Sequence, residues 1–271
     1  MRQSVLSGVA LVVALSLAGC DRGGSSVADD PALQDMLLAN APPERAVRTF
    51  RERVAASPEA LEPRRGLAQS LIRAGRTPEA LLAWEDVVEH PDSTDADRVE
   101  YAGALVREAR WADAKATLDA IPPTHRTFDR YRLEAIVADS SQDWDRADSF
   151  YDTALGLTTE PAGVLNNWGF SKLTRGDVEA AERLFTRAIT EDDDLFTAKN
   201  NLVLARATRR NYALPGLRAS AEERAQLMHT AALAAIRQGD VDIARNLLEQ
   251  AIDTHPRHFE PAVRTLRSLR G

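Results

Sequence analysis

Cysteine is almost absent: the 271-residue chain has one, Cys20. No intramolecular disulfide is possible, and no cysteine-based metal site can form. A basic excess is missing as well. Lys and Arg number 34 against 41 Asp and Glu, a formal net charge of −7. Removing residues 1–19 would take away one charged side chain, Arg2, and move the balance to −8. Nucleic-acid binding needs a concentrated basic surface, so nucleic acid is not an expected partner. Histidine is sparse, at 90, 125, 229, 255 and 258. The pair His255-Pro-Arg-His258 is broken by proline and lacks a third ligand, so it reads as a solvated turn and not as a metal site. Glu191-Asp192-Asp193-Asp194 lacks the glycine and the alternating ligands of a calcium loop. There is no Gly-rich phosphate loop and no nucleophile elbow. The expectation is a protein that is not an enzyme and carries no cofactor. A site hidden in Asn211–Ser220 would need a base or nucleophile pair, and none is present there.

Long apolar runs are also lacking. The longest, Val5 to Leu17, falls short of the roughly 20 residues that span a bilayer. Preceded by Met1-Arg2 and followed by small residues, it describes a secretory signal. Leu17-Ala18-Gly19-Cys20 resembles the bacterial lipoprotein box. That resemblance implies a signal peptide at 1–19, cleavage before Cys20 and lipidation of its sulfur; an uncleaved anchor and an ordinary secreted protein are the alternatives. Several acyl chains on Cys20 would hold a membrane stably, since one chain binds only marginally. Residues 20–30 then read as the lipidated cysteine and a flexible polar tether. In enteric bacteria, Asp directly after the lipidated cysteine goes with inner-membrane retention. Asp21 stands there, so both envelope membranes stay open.

What the chain has in abundance is a spaced alanine. Ala46, Ala80, Ala114, Ala147, Ala181 and Ala244 are each followed four residues later by a bulky apolar residue: Phe50, Trp84, Leu118, Tyr151, Phe185 and Leu248. The steps are 34, 34, 33, 34 and then 63 residues. Such a period is the signature of stacked helix-turn-helix units. The clearest unit spans 162–195. Leu165, Trp168, Gly169 and Leu173 mark one face of a first helix, Gly176-Asp177 a turn, and Ala181, Phe185, Ala188 and Ile189 the second helix. Gly169, Gly176 and Ala181-x-x-x-Phe185-x-x-Ala188 closely resemble the tetratricopeptide pattern. The expected fold is an all-α, right-handed tetratricopeptide-repeat solenoid over 31–269. Its units fall at about 27–60, 61–94, 95–127, 128–161, 162–195 and 225–258, with a capping helix at 259–269. The unit at 196–224 is degenerate. Pro215 stands where its second alanine belongs, and Ser220-x-x-Glu223 then opens the next helix as a capping box. Asn211–Ser220 reads as a hinge, a partner-contacting loop, or a connector that merely shifts the superhelix.

In tetratricopeptide proteins the inner face of each first helix lines a concave, peptide-holding surface. The resemblance carries this role to Asn166, Asn167, Phe170 and Thr174, and in the next unit to Asn200, Asn201, Leu204 and Thr208. Stacked amides can bond a peptide backbone, and Phe170 can anchor an apolar side chain. Internal hydrogen bonding is the alternative use of the same amides. Toward the N-terminus the corresponding positions include Arg65, Arg73 and Arg132, which would make that end basic and suit acidic peptide groups, or stand as isolated solvated charges.

A narrower resemblance covers roughly 160–269. Asn200-Asn201-Leu202, Glu222-Glu223-Arg224-Ala225, Ile236-Arg237-Gln238-Gly239-Asp240 and Thr254-His255-Pro256-Arg257-His258-Phe259-Glu260-Pro261-Ala262-Val263 look like the Flp pilus assembly lipoproteins of the TadD type. The resemblance implies a lipid-anchored adaptor facing the periplasm, favours the outer membrane, and makes the pilus secretin or another Tad component the expected protein partner. Asp21 departs from this picture. The alternative is an envelope scaffold for peptidoglycan hydrolases or outer-membrane assembly factors.

Overall fold

The computed structural model describes residue 36 and residues 38–269. The signal segment, Cys20 and most of the tether region therefore lie outside the described residues. Thirteen α-helices run from Pro43 to Ser268. They are α1 Pro43–Ala56, α2 Leu61–Arg73, α3 Thr77–Val88, α4 Asp95–Arg107, α5 Trp111–Asp119, α6 Phe128–Ser140 and α7 Trp144–Leu155. There follow α8 Ala162–Thr174, α9 Val178–Glu191, α10 Phe196–Ala207, α11 Ala221–Arg237, α12 Val241–Thr254 and α13 Glu260–Ser268. Each helix packs on the next, and the first helices α4, α6, α8 and α10 also pack on one another. That is the arrangement of a stacked helix-pair solenoid.

The alanine pairs explain the stacking. All six alanines are fully buried, and their partners Phe50, Trp84, Leu118, Tyr151, Phe185 and Leu248 are buried to within 1%. The small residue lets two helix axes approach, and the bulky one fills the space this leaves. Two glycines complete the fit. A Cβ on Gly66 would lie 2.3 Å from the Phe50 ring, and one on Gly169 would lie 2.7 Å from Phe185. Phe185 also packs with Leu202 and Ala205 of the following unit, so one ring joins three helices.

The turn inside each unit from 61–94 onward is left-handed at one residue. Gly75, Gly176 and Gly239 have positive φ there, and so do Ala109, Gln142 and Arg210. In every case the next residue's N–H bonds back to the carbonyl five positions earlier, as Arg76 to Leu71 and Asn211 to Arg206 do. This closes the helix C-terminus and reverses the chain. Arg210 shows that the degenerate unit keeps its turn although no helix follows.

Residues 208–220 are instead an extended connector fastened at several points. Tyr212 is buried and donates to Asp240 Oδ2 at 2.6 Å. Arg210 bonds Asp240 Oδ1 and the Gln238 carbonyl, and Arg218 bonds Asp193. Leu217 packs on the Phe185 group. These bonds tie the connector to the units on both sides of it. Ser220 and Glu223 form both bonds of a capping box at the start of α11.

Candidate functional site: a mixed apolar and amide groove

A concavity of about 500 Å3 opens across the middle of the array. Its floor and rim come from the starts of second helices and the inner faces of first helices. Trp111 and Trp144 open α5 and α7; Ile136 and Asp139 come from α6; Asn166, Asn167, Phe170, Ser171 and Thr174 come from α8; Asn201 comes from α10. Phe170 is 50% exposed and Trp111 38% exposed, so two large apolar surfaces face solvent in one depression. Such surface is where a partner's side chain gains most by leaving water.

Five of the expected groove residues meet here: Asn166, Asn167, Phe170, Thr174 and Asn201. Their amides form a short ladder. Asn201 Nδ2 donates to Asn166 Oδ1 at 3.0 Å, and Asn166 Nδ2 reaches Asn167 Oδ1 at 3.5 Å. The internal use of these amides is therefore present. The ladder fixes their orientation and leaves the Asn201 carbonyl oxygen and the Asn167 amide N–H groups for a ligand. Asn200 turns the other way, its Oδ1 accepting from Thr230 Oγ1 at 2.7 Å. Leu204 is half-buried and does not line the concavity.

Asp139 lines the same concavity as the ladder. Ser171 Oγ donates to its Oδ1 at 2.6 Å and Tyr151 OH to its Oδ2 at 2.7 Å. Burial pushes the Asp139 carboxyl above its ordinary value, against the lowering effect of these two hydroxyls. Burial, and then Asp139 itself, raise the Tyr151 phenol, which stays protonated and a donor. Asp139, Trp111 and Trp144 were not among the expected site residues. The aromatic pair carried a signal, since each starts the second helix of its unit.

The N-terminal arginines each have partners within the chain. Arg65 bonds Asp97 through two nitrogens, both at 2.6 Å, and also Glu62. Its side chain is 19% exposed and that of Asp97 6%. Asp97 also caps α4 through Thr94. Burial would raise the Asp97 carboxyl, but the bonds from Arg65 and Thr94 outweigh it and hold the group below its ordinary value. Arg73 is exposed and donates to the Ala41 carbonyl at 3.1 Å. Arg132 lines a smaller hollow of about 240 Å3 with Glu100, Arg107 and Asp129, and bonds Asp129 at 3.3 Å. Arg65 thus meets a carboxylate of the next unit and Arg132 one of its own helix, whereas Arg73 meets a backbone carbonyl.

The remaining candidates separate. His255 stacks on Phe259 at 4.8 Å while His258 bonds Glu260 at 2.8 Å. Among the described residues no group of His, Cys, Asp or Glu is placed to hold a metal ion, and no helix is long and apolar enough to cross a membrane.

A tetratricopeptide repeat family model matches residues 36–96 and 229–263. The fold is a tetratricopeptide-repeat solenoid. PilW, described as a widely conserved type IV pilus biogenesis factor, has a solved structure that matches 90% of this chain and 100% of its own, at 12% identity and a TM-score of 0.62. A tetratricopeptide repeat protein from Parabacteroides merdae ATCC 43184 matches 89% of this chain and 97% of its own, at 11% identity and a TM-score of 0.61. A thermophilic protein of the same repeat type from Thermus thermophilus, TTC0263, matches 64% of this chain and 95% of its own, at 16% identity and a TM-score of 0.55. At these identities the likeness is one of fold. No curated protein matches the sequence significantly. Tetratricopeptide arrays are scaffolds for protein–protein interaction, and no catalytic family is indicated.

Proposed function

We propose that this chain is a lipid-anchored periplasmic adaptor that acts by binding and not by catalysis, capturing an extended segment of a partner protein in the α5–α10 groove during assembly of a Flp-type pilus. The observation that carries the binding role is the shared exposure of Phe170 and Trp111 beside the oriented amides of Asn166, Asn167 and Asn201. The amides satisfy a peptide backbone and the rings bury its side chains, so affinity and register come from different groups. The lipoprotein-like Leu17-Ala18-Gly19-Cys20 supports the anchor. A lipid there confines the groove to a membrane surface and raises its effective concentration near partners. The TadD-like segments of 160–269 support the pilus assignment, as does a fold shared with a type IV pilus biogenesis factor.

The test is in-cell crosslinking of the full-length protein with a photoreactive residue at Phe170, and at exposed Ile243 on α12 as a control. Capture of a secretin or another pilus component from position 170 alone is the expected result. Capture of murein hydrolases or outer-membrane assembly factors would replace the pilus assignment with a general envelope scaffold. Equal capture from both positions would remove the groove. Cys20→Ser is expected to leave the array folded and move the protein out of the membrane fraction; persistent fractionation with membranes would defeat the anchor.

A further inference from the structure

The groove holds one charged side chain among those lining it, Asp139. Its two oxygens are oriented by neutral donors, Ser171 and Tyr151, so the carboxylate is positioned without being neutralised by its bonded partners. Lys172 on α8 and Arg175 just after it make their ion pairs with another carboxylate, although the Arg175 charge still acts to lower the Asp139 carboxyl. Lys172 pairs with Asp148 at 2.8 Å, and Arg175 bonds the same Asp148 carboxylate and lies over the Trp144 ring. Each Asp139 oxygen keeps acceptor capacity beyond the single bond it already takes. Trp111 and Phe170 line the same concavity with exposed faces, surfaces that attract the aliphatic stem and cationic head of a long basic side chain.

We propose that the groove selects an extended peptide segment carrying a lysine or arginine, with Asp139 as the counter-charge and Trp111 and Phe170 bracketing the stem. This deepens the adaptor reading and rests on it. The choice follows from complementarity. A half-buried carboxylate covered by an apolar or acidic ligand side chain would lose its remaining water without compensation, whereas a cation recovers that cost. The amide ladder then binds the backbone on either side of the basic residue. Asp139 thereby sets specificity, while Phe170 sets affinity.

The test uses detergent-solubilised full-length protein and a randomised library of short peptides, acetylated and amidated so that the termini carry no charge. Enrichment of peptides with one Lys or Arg beside an apolar residue is expected. Replacing that lysine by norleucine in a selected peptide should weaken binding by about tenfold or more, and the gap should close in Asp139→Asn. The norleucine exchange alters only the ligand, so it decides the matter even if Asp139→Asn folds poorly. Equal affinity for the two peptides overturns the proposal. Enrichment of uncharged or acidic sequences that still need Phe170 overturns it too, and leaves the adaptor reading standing. No enrichment over a Phe170→Ala control overturns both.

Discussion

Arg65 and Asn201 both sit on first helices of their units, and both bond a side chain one unit away. Arg65 is clamped to Asp97 in a largely buried ion pair that also caps α4. Asn201 donates one bond to Asn166 and keeps its carbonyl oxygen for the groove. The N-terminal stretch therefore spends its charges on holding neighbouring units in register. The central stretch has charge clamps too, Lys172 and Arg175 on Asp148, but on its groove face it uses neutral amides for register and leaves rings, amides and one carboxylate available. A repeat architecture can thus assign structure and recognition to different units at equivalent positions, because each unit contacts only its neighbours.

Arg65→Leu puts this contrast under the greatest strain. It leaves Asp97 buried without its cation, and a loss of about 2–4 kcal/mol is expected in denaturant unfolding, with peptide affinity unchanged. A stable Arg65→Leu protein with weakened binding would reverse the roles of the two regions. Phe170→Ala should do the opposite. Its ring is half exposed, so stability should change by less than about 0.5 kcal/mol while affinity for a groove ligand falls roughly tenfold or more. Calorimetry on the same variant reads both quantities.

Acid sharpens the comparison. Asp97 is held below its ordinary 3.8, so its contribution is complete above that pH and is lost as pH falls through the lowered value. Asp139 is raised above 3.8 by burial, so its ionisation costs stability near neutrality, and protonation at falling pH recovers that cost first. Thermal melts against pH should therefore show a flatter acid limb in Asp97→Asn than in the parent. Asp139→Asn should leave that limb in place and remove the recovery above it. Identical pH profiles for both variants would count against the assignment of charge to these two sites.

The smallest effect concerns the turns. Gln142 takes a left-handed conformation with φ of 59° that glycine occupies at Gly176, one unit later. Gln142→Gly should stabilise by roughly 0.5–1 kcal/mol, since the steric cost at Cβ exceeds the entropy that glycine adds to the unfolded chain. A drop in melting temperature would show that the Gln142 side chain contributes more to the groove rim than its backbone strain costs.

The sequence by itself determined the architecture. Ala181 and Phe185, and their five counterparts, carry a steric instruction that acts between adjacent helices, and a fixed period turns it into a stack. Ser220 and Glu223 carried the start of α11 for a similar reason, since a capping box closes within four residues. The left-handed turns at Ala109, Gln142 and Arg210 were silent because no glycine marks them. Only the tertiary structure decided which inner-face side chains remain available. Arg65 finds Asp97 at 32 positions' distance, Asp139 finds Ser171 at the same separation, and Trp111 and Trp144 reach the groove from units preceding the amides. A helix pattern fixes which face a residue occupies. Whether that face meets an opposite charge, a hydroxyl or water depends on the neighbouring unit's rotation, which is set by packing across the whole interface.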